Sequence, residues 1–332
     1  MKLDICVPHY KEPWPLVKPF FESLMAQRAI DFRDIRVIMV NDGKQPDSNL
    51  SVDELEETQL RYPFRVDIFF KPHEGVSAAR NYAFDEGDAD YVMFCDCDDS
   101  FANIYGLRFL FDQMEKGYDA ITSIFLVEYM DDDDQLRITY KDNDVTFVHG
   151  KAYRRQYLVD KNIRWKPELT IHEDGYFNCL ALMLTDNKTK IDTPFYTWKY
   201  REGSVASKND DLFVLKTYKN VMDARMALTK EAKRRGRHED ARGFIAKTVL
   251  DSYYDFNKTI ALDPKNKDIV DKAEREFKRF YMRYRKEYLA CTIDQIAQVA
   301  AVARANAYTS GLKIEQRTLR EWLNHIVYEV KE

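Results

Sequence analysis

The chain has 332 residues, 45% of them hydrophobic and 32% charged, with only 11 Gly and 10 Pro and a formal net charge of −5. That is the composition of a soluble globular protein long enough for one or two domains. No apolar run approaches the roughly 18 residues needed to cross a bilayer, and five scattered cysteines without a C-x-x-C pair exclude a zinc knuckle or dithiol redox centre.

The start, Met1-Lys2-Leu3-Asp4-Ile5, lacks a signal peptide's apolar core, so a cytoplasmic protein with reduced cysteines is expected. Leu3–Val7 reads as a strand halted by Pro8, and Pro8-His9-Tyr10-Lys11-Glu12-Pro13 as an irregular loop. Leu16, Phe20, Phe21, Leu24 and Met25 recur at helical spacing. A second strand, Ile35–Val40, ends in Asn41-Asp42-Gly43, and a weak helix is expected near Val52–Leu60. A third strand, Arg65–Phe70, leads through Lys71-Pro72-His73-Glu74-Gly75 to a helix over Val76–Phe84. The strand Tyr91-Val92-Met93-Phe94-Cys95 then runs into Asp96-Cys97-Asp98-Asp99. This alternation predicts an open, largely parallel α/β sheet whose strands end in polar residues, where ligands bind.

On an extended backbone Asp96 and Asp98 face one way and Cys95 and Cys97 the other. Two carboxylates on one side repel unless a cation lies between them, and a hard divalent ion with oxygen ligands meets that need. Taken alone, a D-x-D reads more often as a solvated acidic turn.

Beyond Asp99 the pattern predicts a helix over Ile104–Met114 and strands near Tyr118–Glu128 and Arg137–Tyr140, joined by a solvated hairpin turn at Asp131-Asp132-Asp133-Asp134. A strand ending at His149-Gly150 and a basic helix start at Lys151, Arg154 and Arg155 are expected next. His172-Glu173-Asp174-Gly175 opens an apolar helix over Tyr176–Leu184, with helix capping as the plain role of its acids. The strand Phe195–Tyr200 leads into the loop Arg201–Ser207. From Asp211 helical periodicity dominates, broken at Arg235-Gly236, Asp263-Pro264 and Ser310-Gly311. Charge divides at the same place: 26 Lys and Arg face 38 Asp and Glu before residue 211, and 25 face 18 from residue 211 onward. Phe277, Phe280, Tyr281, Tyr284 and Tyr288 share a helical face flanked by basic residues, and Leu319, Trp322, Leu323, Ile326 and Val330 form a second stripe. Both read as packing faces, with a membrane surface or nucleic acid as the alternative partner.

In this order the signals resemble the family-2 glycosyltransferases over roughly residues 1–207. Ile5-Cys6-Val7-Pro8-His9-Tyr10 resembles that family's opening strand and Pro-x-Tyr loop, and Asn41-Asp42-Gly43 its Asp-Asp-Gly, with Asn41 replacing the first acid. Gly75-Val76-Ser77-Ala78-Ala79-Arg80-Asn81 is similar to its Gly-x-Ser-x-Ala-Arg-Asn helix start. Asp96-Cys97-Asp98-Asp99 resembles its metal-binding D-x-D, Glu173-Asp174 its catalytic acid pair, and Tyr200-Arg201 with Ser204 and Ser207 its donor-closing loop. The resemblance implies an α/β GT-A fold, the Rossmann-like mixed sheet of nucleotide-diphospho-sugar transferases, over residues 1–209. A helical region over 210–332 would position the acceptor or mediate assembly. The implied activity is inverting transfer from a UDP-sugar to a hydroxyl acceptor, by default a cell-envelope glycan or lipid-linked sugar. A modified DNA base as acceptor, a nucleotidyltransferase and an inactive nucleotide-sugar-binding module are the alternatives.

By the same resemblance, Pro8, Tyr10, Glu12, Asp42, Arg80, Asp96, Arg201 and Ser204 bind the nucleotide sugar. Tyr10 would offer a flat face to the base and Asp42 would accept from a pyrimidine's imide N–H. Arg80 would meet the base edge or a phosphate; its plain reading is a surface cation paired with Asp42 or Glu86. Asp96 would hold the ribose hydroxyls, and Arg201 would clamp a phosphate. Asp98 and Asp96 would bind Mn²⁺ or Mg²⁺, and Asp174 beside Glu173 would be the general base. Arg201-Glu202 stands where many relatives carry a histidine; His149 and His172 are the nearest substitutes, each read as structural.

Overall fold

Strands covered on both faces are apolar nearly throughout, and β1 (Leu3–His9) and β2 (Ile35–Asn41) are of this kind, buried along almost their whole length. They pair in parallel from Leu3 opposite Ile35 to His9 opposite Asn41. β3 (Arg65–Phe70) adds to β2 with Phe70 opposite Asn41, and β4 (Tyr91–Phe94) adds to the other side of β1 with Phe94 opposite Cys6. Because these strands run the same way, their carboxyl ends open on one edge of the sheet, and the loops that follow them gather there. Helix α1 (Trp14–Met25) buries Val17, Phe20, Phe21 and Leu24. Phe21 stacks on Tyr62 with ring centroids 5.2 Å apart. Helix α2 (Val76–Glu86) leads into β4.

The structure is a computed structural model that describes residues 1–43, 61–131, 133–202, 212–309 and 317–331. Two units divide it, Met1–Ser207 and Lys208–Glu332. The first continues through β5 (Ser100–Phe101), α3 (Gly106–Met114), β6 (Ala120–Met130), β7 (Leu136–Lys141), β8 (Lys151–Arg154), α4 (Arg155–Asp160), α5 (Glu173–Met183) and β9 (Lys188–Trp198). The sheet order is β3-β2-β1-β4-β8-β6-β9-β5, with β7 paired to β6. β8 runs antiparallel to both β4 and β6, which makes the sheet mixed.

One stretch differs from expectation. Residues 145–150 form bends and turns, the strand is Lys151–Arg154, and the helix begins only at Arg155. Gly150 turns the chain with φ +63°, and pairing on both sides of β8 overrides the helical look of its basic residues. Lys151 is 1% exposed, and its ammonium donates to Asp144 at 3.0 Å and to the Phe147 carbonyl at 2.7 Å. β9 also starts earlier than the pattern suggested, at Lys188. The helix expected near Val52–Leu60, Ser204, Ser207 and the break at Ser310-Gly311 lie outside the described residues.

Asp4 puts an acid into a buried central strand, so it needs a fixed partner. Arg155 supplies it at 2.6 Å, and the Ala89 N–H adds a second donor at 2.9 Å. Arg155 also donates to the Ala89 and Phe84 carbonyls. Gly87 abuts this pair so closely that a Cβ there would overlap both the carboxylate and the guanidinium.

The second unit is helical. Phe277, Phe280, Tyr281, Tyr284 and Tyr288 are buried in one core with Trp322 and Ile326, and Phe277 stacks on Trp322 at 4.6 Å. Among the described residues no helix is long and apolar enough to cross a membrane.

Candidate active site

The loop after β2 is built around Asp42. Its carboxylate accepts from Lys71 Nζ at 2.8 Å and from the backbone N–H groups of Glu74 and Gly75 at 2.9 and 2.7 Å. His73 Nδ1 approaches it at 2.8 Å. Burial would push the Asp42 carboxyl up, but Lys71 and the two N–H donors hold it below the usual range. Gly75, at φ +94°, starts α2 just beyond these bonds. His73 in turn stacks on Tyr10, centroids 4.2 Å apart. One face of Tyr10 is therefore occupied, and three hydrogen bonds already reach the carboxylate assigned to a pyrimidine.

Pro8 lies at the end of β1 opposite Val40. Glu12 folds back on its own loop, accepting from the Tyr10 and Lys11 N–H groups at 2.9 and 3.2 Å. Its other oxygen lies 3.4 Å from Arg201 Nη1. Arg201 also meets Asp98, Nε to Oδ2 at 3.1 Å. One guanidinium thus bridges the β1 loop and the acids after β4.

Arg80 joins the other two groups of acids. The second turn of α2 aims its side chain inward, 3% exposed, over the Trp165 ring at 4.4 Å. Nη2 donates to Asp96 at 2.8 Å and Nη1 to Glu173 at 3.0 Å. The pairing with Asp42 or Glu86 is not what forms. The cation instead ties the D-x-D to the start of α5. His172 enters that helix with φ +66°, and the Asp174 carboxylate accepts from the Gly175 N–H at 2.7 Å.

These contacts set protonation. Burial would raise Asp96, but Arg80 holds it below the usual carboxylate range. Burial and the Asp96 charge push Asp98 up to about 6, against the pull of Arg201. Asp174 is pushed up to about 7 by burial and by neighbouring Glu173. Carboxylates whose pKa values are driven apart in this way can take different roles at one pH.

Beneath the D-x-D lies a buried set that sequence reasoning left without a role. β4 ends at Phe94, and Cys97-Asp98 form a turn rather than extended strand. Asp99 is 1% exposed; the Tyr196 hydroxyl donates to it at 2.8 Å and the Lys199 N–H at 2.9 Å. Tyr196 Oη also accepts from the Asp96 N–H at 3.1 Å. His149 stacks between Tyr196 and Trp198, at 5.4 and 5.0 Å, with Nδ1 3.4 Å from Asp99. Burial pushes its pKa down to about 4, so the ring is neutral at pH 7. Asp96, Asp99 and His149 each offer a ligand atom, and these atoms lie within 4.8 Å of one another. Asp98 is not in that group. The adjacency of Asp99 to the D-x-D was a signal for it; nothing in the sequence pointed to Tyr196.

The family described as Glycosyl transferase family 2 matches residues 4–177, just over half of the chain. The chain is 23% identical over 250 residues to an uncharacterized glycosyltransferase, EpsJ, of Bacillus subtilis, covering 70% of this chain and 68% of that one. It is 26% identical over 208 residues to a teichoic acid poly(glycerol phosphate) polymerase of Staphylococcus epidermidis, covering 59% of this chain but only 28% of that protein. Among solved structures, S. aureus TarS 1–349 in complex with UDP-GlcNAc superposes with a TM-score of 0.56 at 16% identity, covering 92% of each chain. The chain belongs to glycosyl transferase family 2 and has the GT-A fold.

Proposed function

We propose that residues 1–209 form the catalytic domain of an inverting, divalent-metal-dependent enzyme that moves a sugar from a UDP-sugar to a hydroxyl acceptor. The observation that carries this reading is the Arg80 bridge, with Asp96 at 2.8 Å and Glu173 at 3.0 Å. It makes the acids after β4 and the acid pair opening α5 one cluster, although 77 positions separate Asp96 from Glu173 in the chain. Asp174 takes the proton of the acceptor hydroxyl as that oxygen attacks C1 from the face opposite the diphosphate. The new C–O bond forms as the bond to the diphosphate breaks, so the anomeric centre inverts. A pKa of about 7 suits that role, because a base poised near the working pH is both available and strong enough. Glu173, fixed by Arg80, orients the helix start. Arg201, which contacts Asp98 and Glu12, would clamp a phosphate.

The donor set fits a metal ion. Asp96 and Asp99 offer hard oxygen ligands beside the neutral His149 ring, a mixed set that tilts the preference from Mg²⁺ toward Mn²⁺, and Asp98 in the same turn would complete it. Bound there, the ion would neutralise charge on the departing diphosphate. The name of the S. epidermidis relative supports an acceptor among phosphate-bearing cell-envelope polymers.

The test is radiolabelled transfer from a panel of UDP-sugars with Mn²⁺, comparing the wild-type protein with Asp174→Asn. Loss of the base removes roughly 10²–10⁴-fold of the rate, while UDP affinity by calorimetry stays unchanged. Undiminished transfer by Asp174→Asn overturns the assignment of the base.

A further inference from the structure

The second unit carries a basic groove that the packing stripes do not consume. Helices Tyr218–Arg234 and Lys267–Leu289 pack against each other. Between them lies a cavity of about 330 Å³ lined by Met226, Ala227, Lys230, Arg279, Arg283 and Tyr284. A second, of about 300 Å³, shares Arg279 and adds Arg275, Lys278 and Met282. Positions 275, 278, 279, 282 and 283 are three and four apart, so they form one stripe on the helix. At 1.5 Å per residue the stripe is about 12 Å long.

Two of its cations are already matched: Arg279 by Asp223 and Glu276 at 2.6 and 2.9 Å, and Lys278 by the Val327 and Val330 carbonyls at 3.2 and 2.8 Å. Among the described residues no carboxylate pairs with Lys230, Arg275 or Arg283. Three unneutralised cations beside a floor of Met226, Ala227 and Tyr284 suit a chain that repeats negative charge along an aliphatic backbone. Nucleic acid fits less well. A single strand gains much of its affinity by stacking bases on open aromatic faces, and Tyr284 is only 4% exposed. A membrane surface fits less well again, because a helix lying in an interface needs several exposed apolar side chains and this stripe exposes only Met282, at 48%.

We propose that this groove binds a phosphate-bearing acceptor chain, a polymer of phosphodiester-linked polyols or sugars. The proposal rests on the glycosyltransferase reading for its purpose and names the acceptor class for it. The test uses the full chain and a fluorescent poly(glycerol phosphate) oligomer, read by anisotropy at low and at physiological ionic strength. Single-stranded DNA of equal phosphate number and phosphatidylglycerol vesicles serve as competing ligands. Lys230→Glu combined with Arg283→Glu weakens polymer binding roughly tenfold or more and flattens its salt dependence by about two charges. Lys230→Arg combined with Arg283→Lys keeps binding near wild type. The charge-reversed protein keeps its melting temperature and its acceptor-free hydrolysis of the UDP-sugar. Wild-type polymer affinity in the charge-reversed protein overturns the proposal, as does tighter binding of DNA or vesicles than of the polymer. Failure of the glycosyltransferase reading looks different: UDP-sugar turnover is missing while polymer binding stands.

Discussion

Replacing Arg80 by methionine keeps most of the side-chain volume over Trp165 and removes the charge that Asp96 and Glu173 share. The structure sets the scale of the loss. The guanidinium side chain is 4% exposed and makes bonds of 2.8 and 3.0 Å to two carboxylates. Removing one partner of such a pair costs about 3–5 kcal/mol, chiefly because Glu173, 12% exposed, stays buried without compensation while Asp96, 33% exposed, is partly solvated. For a unit of this size each kcal/mol lowers the melting temperature by roughly 2–4 °C, so a fall of about 6–20 °C is expected at pH 7.5. The pH dependence is the sharper test. In the wild type Asp96 is held below the usual range, so its stabilisation is present above the unfolded carboxylate pKa and is lost as pH falls. In Arg80→Met no cation opposes protonation, the carboxylates take up protons more readily, and the deficit narrows toward pH 5. Calorimetric melting of both proteins at the two pH values measures this. A fall below about 2 °C at pH 7.5, or an equal deficit at both, would refute the shared role of Arg80.

Asp98, pushed up to about 6, must lose its proton to hold a cation. Mn²⁺-dependent UDP affinity measured by calorimetry should therefore decline as pH drops through about 6, and Asp98→Asn should abolish the metal dependence at every pH. Asp42→Ala removes the carboxylate that receives Lys71 and the N–H groups at the start of α2. It should cost about 3 kcal/mol in urea unfolding, and a loss under 1 kcal/mol contradicts its anchoring role. Gly87→Ala forces a methyl group against Asp4 and Arg155 and should destabilise by about 1–3 kcal/mol. Unchanged stability would mean that the backbone there yields freely.

Much of the sheet edge was legible because β1, β2 and β4 are largely apolar strands, broken only by Asp4 and Arg36, that end in polar residues, and parallel pairing in register puts those ends together. Asp96 and Asp98 could be singled out on that ground, and Asp174 only through the family resemblance. Their partners could not. Arg80, assigned through the resemblance to the base edge or a phosphate, otherwise read as a surface cation, because its burial depends on Trp165, which lies 85 positions away. Tyr196 reaches Asp99 from β9, the strand that pairs with the two-residue β5 just after Asp99, a pairing too short to leave a periodic trace. Lys151 looked like the opening of a basic helix because composition says nothing of being flanked by strands on both sides. In each case the missing information was tertiary, and local pattern could not supply it.

The partnership of Asp4 with Arg155 imposes an order on synthesis. The parallel strands through β4 are all translated before residue 95, yet the acid in their central member has no counter-charge until residue 155 leaves the ribosome. At about 5–20 residues per second that interval lasts on the order of 3–12 s. Throughout it the nascent sheet keeps β1 accessible to water, so the emerging chain stays open to chaperones until α4 arrives.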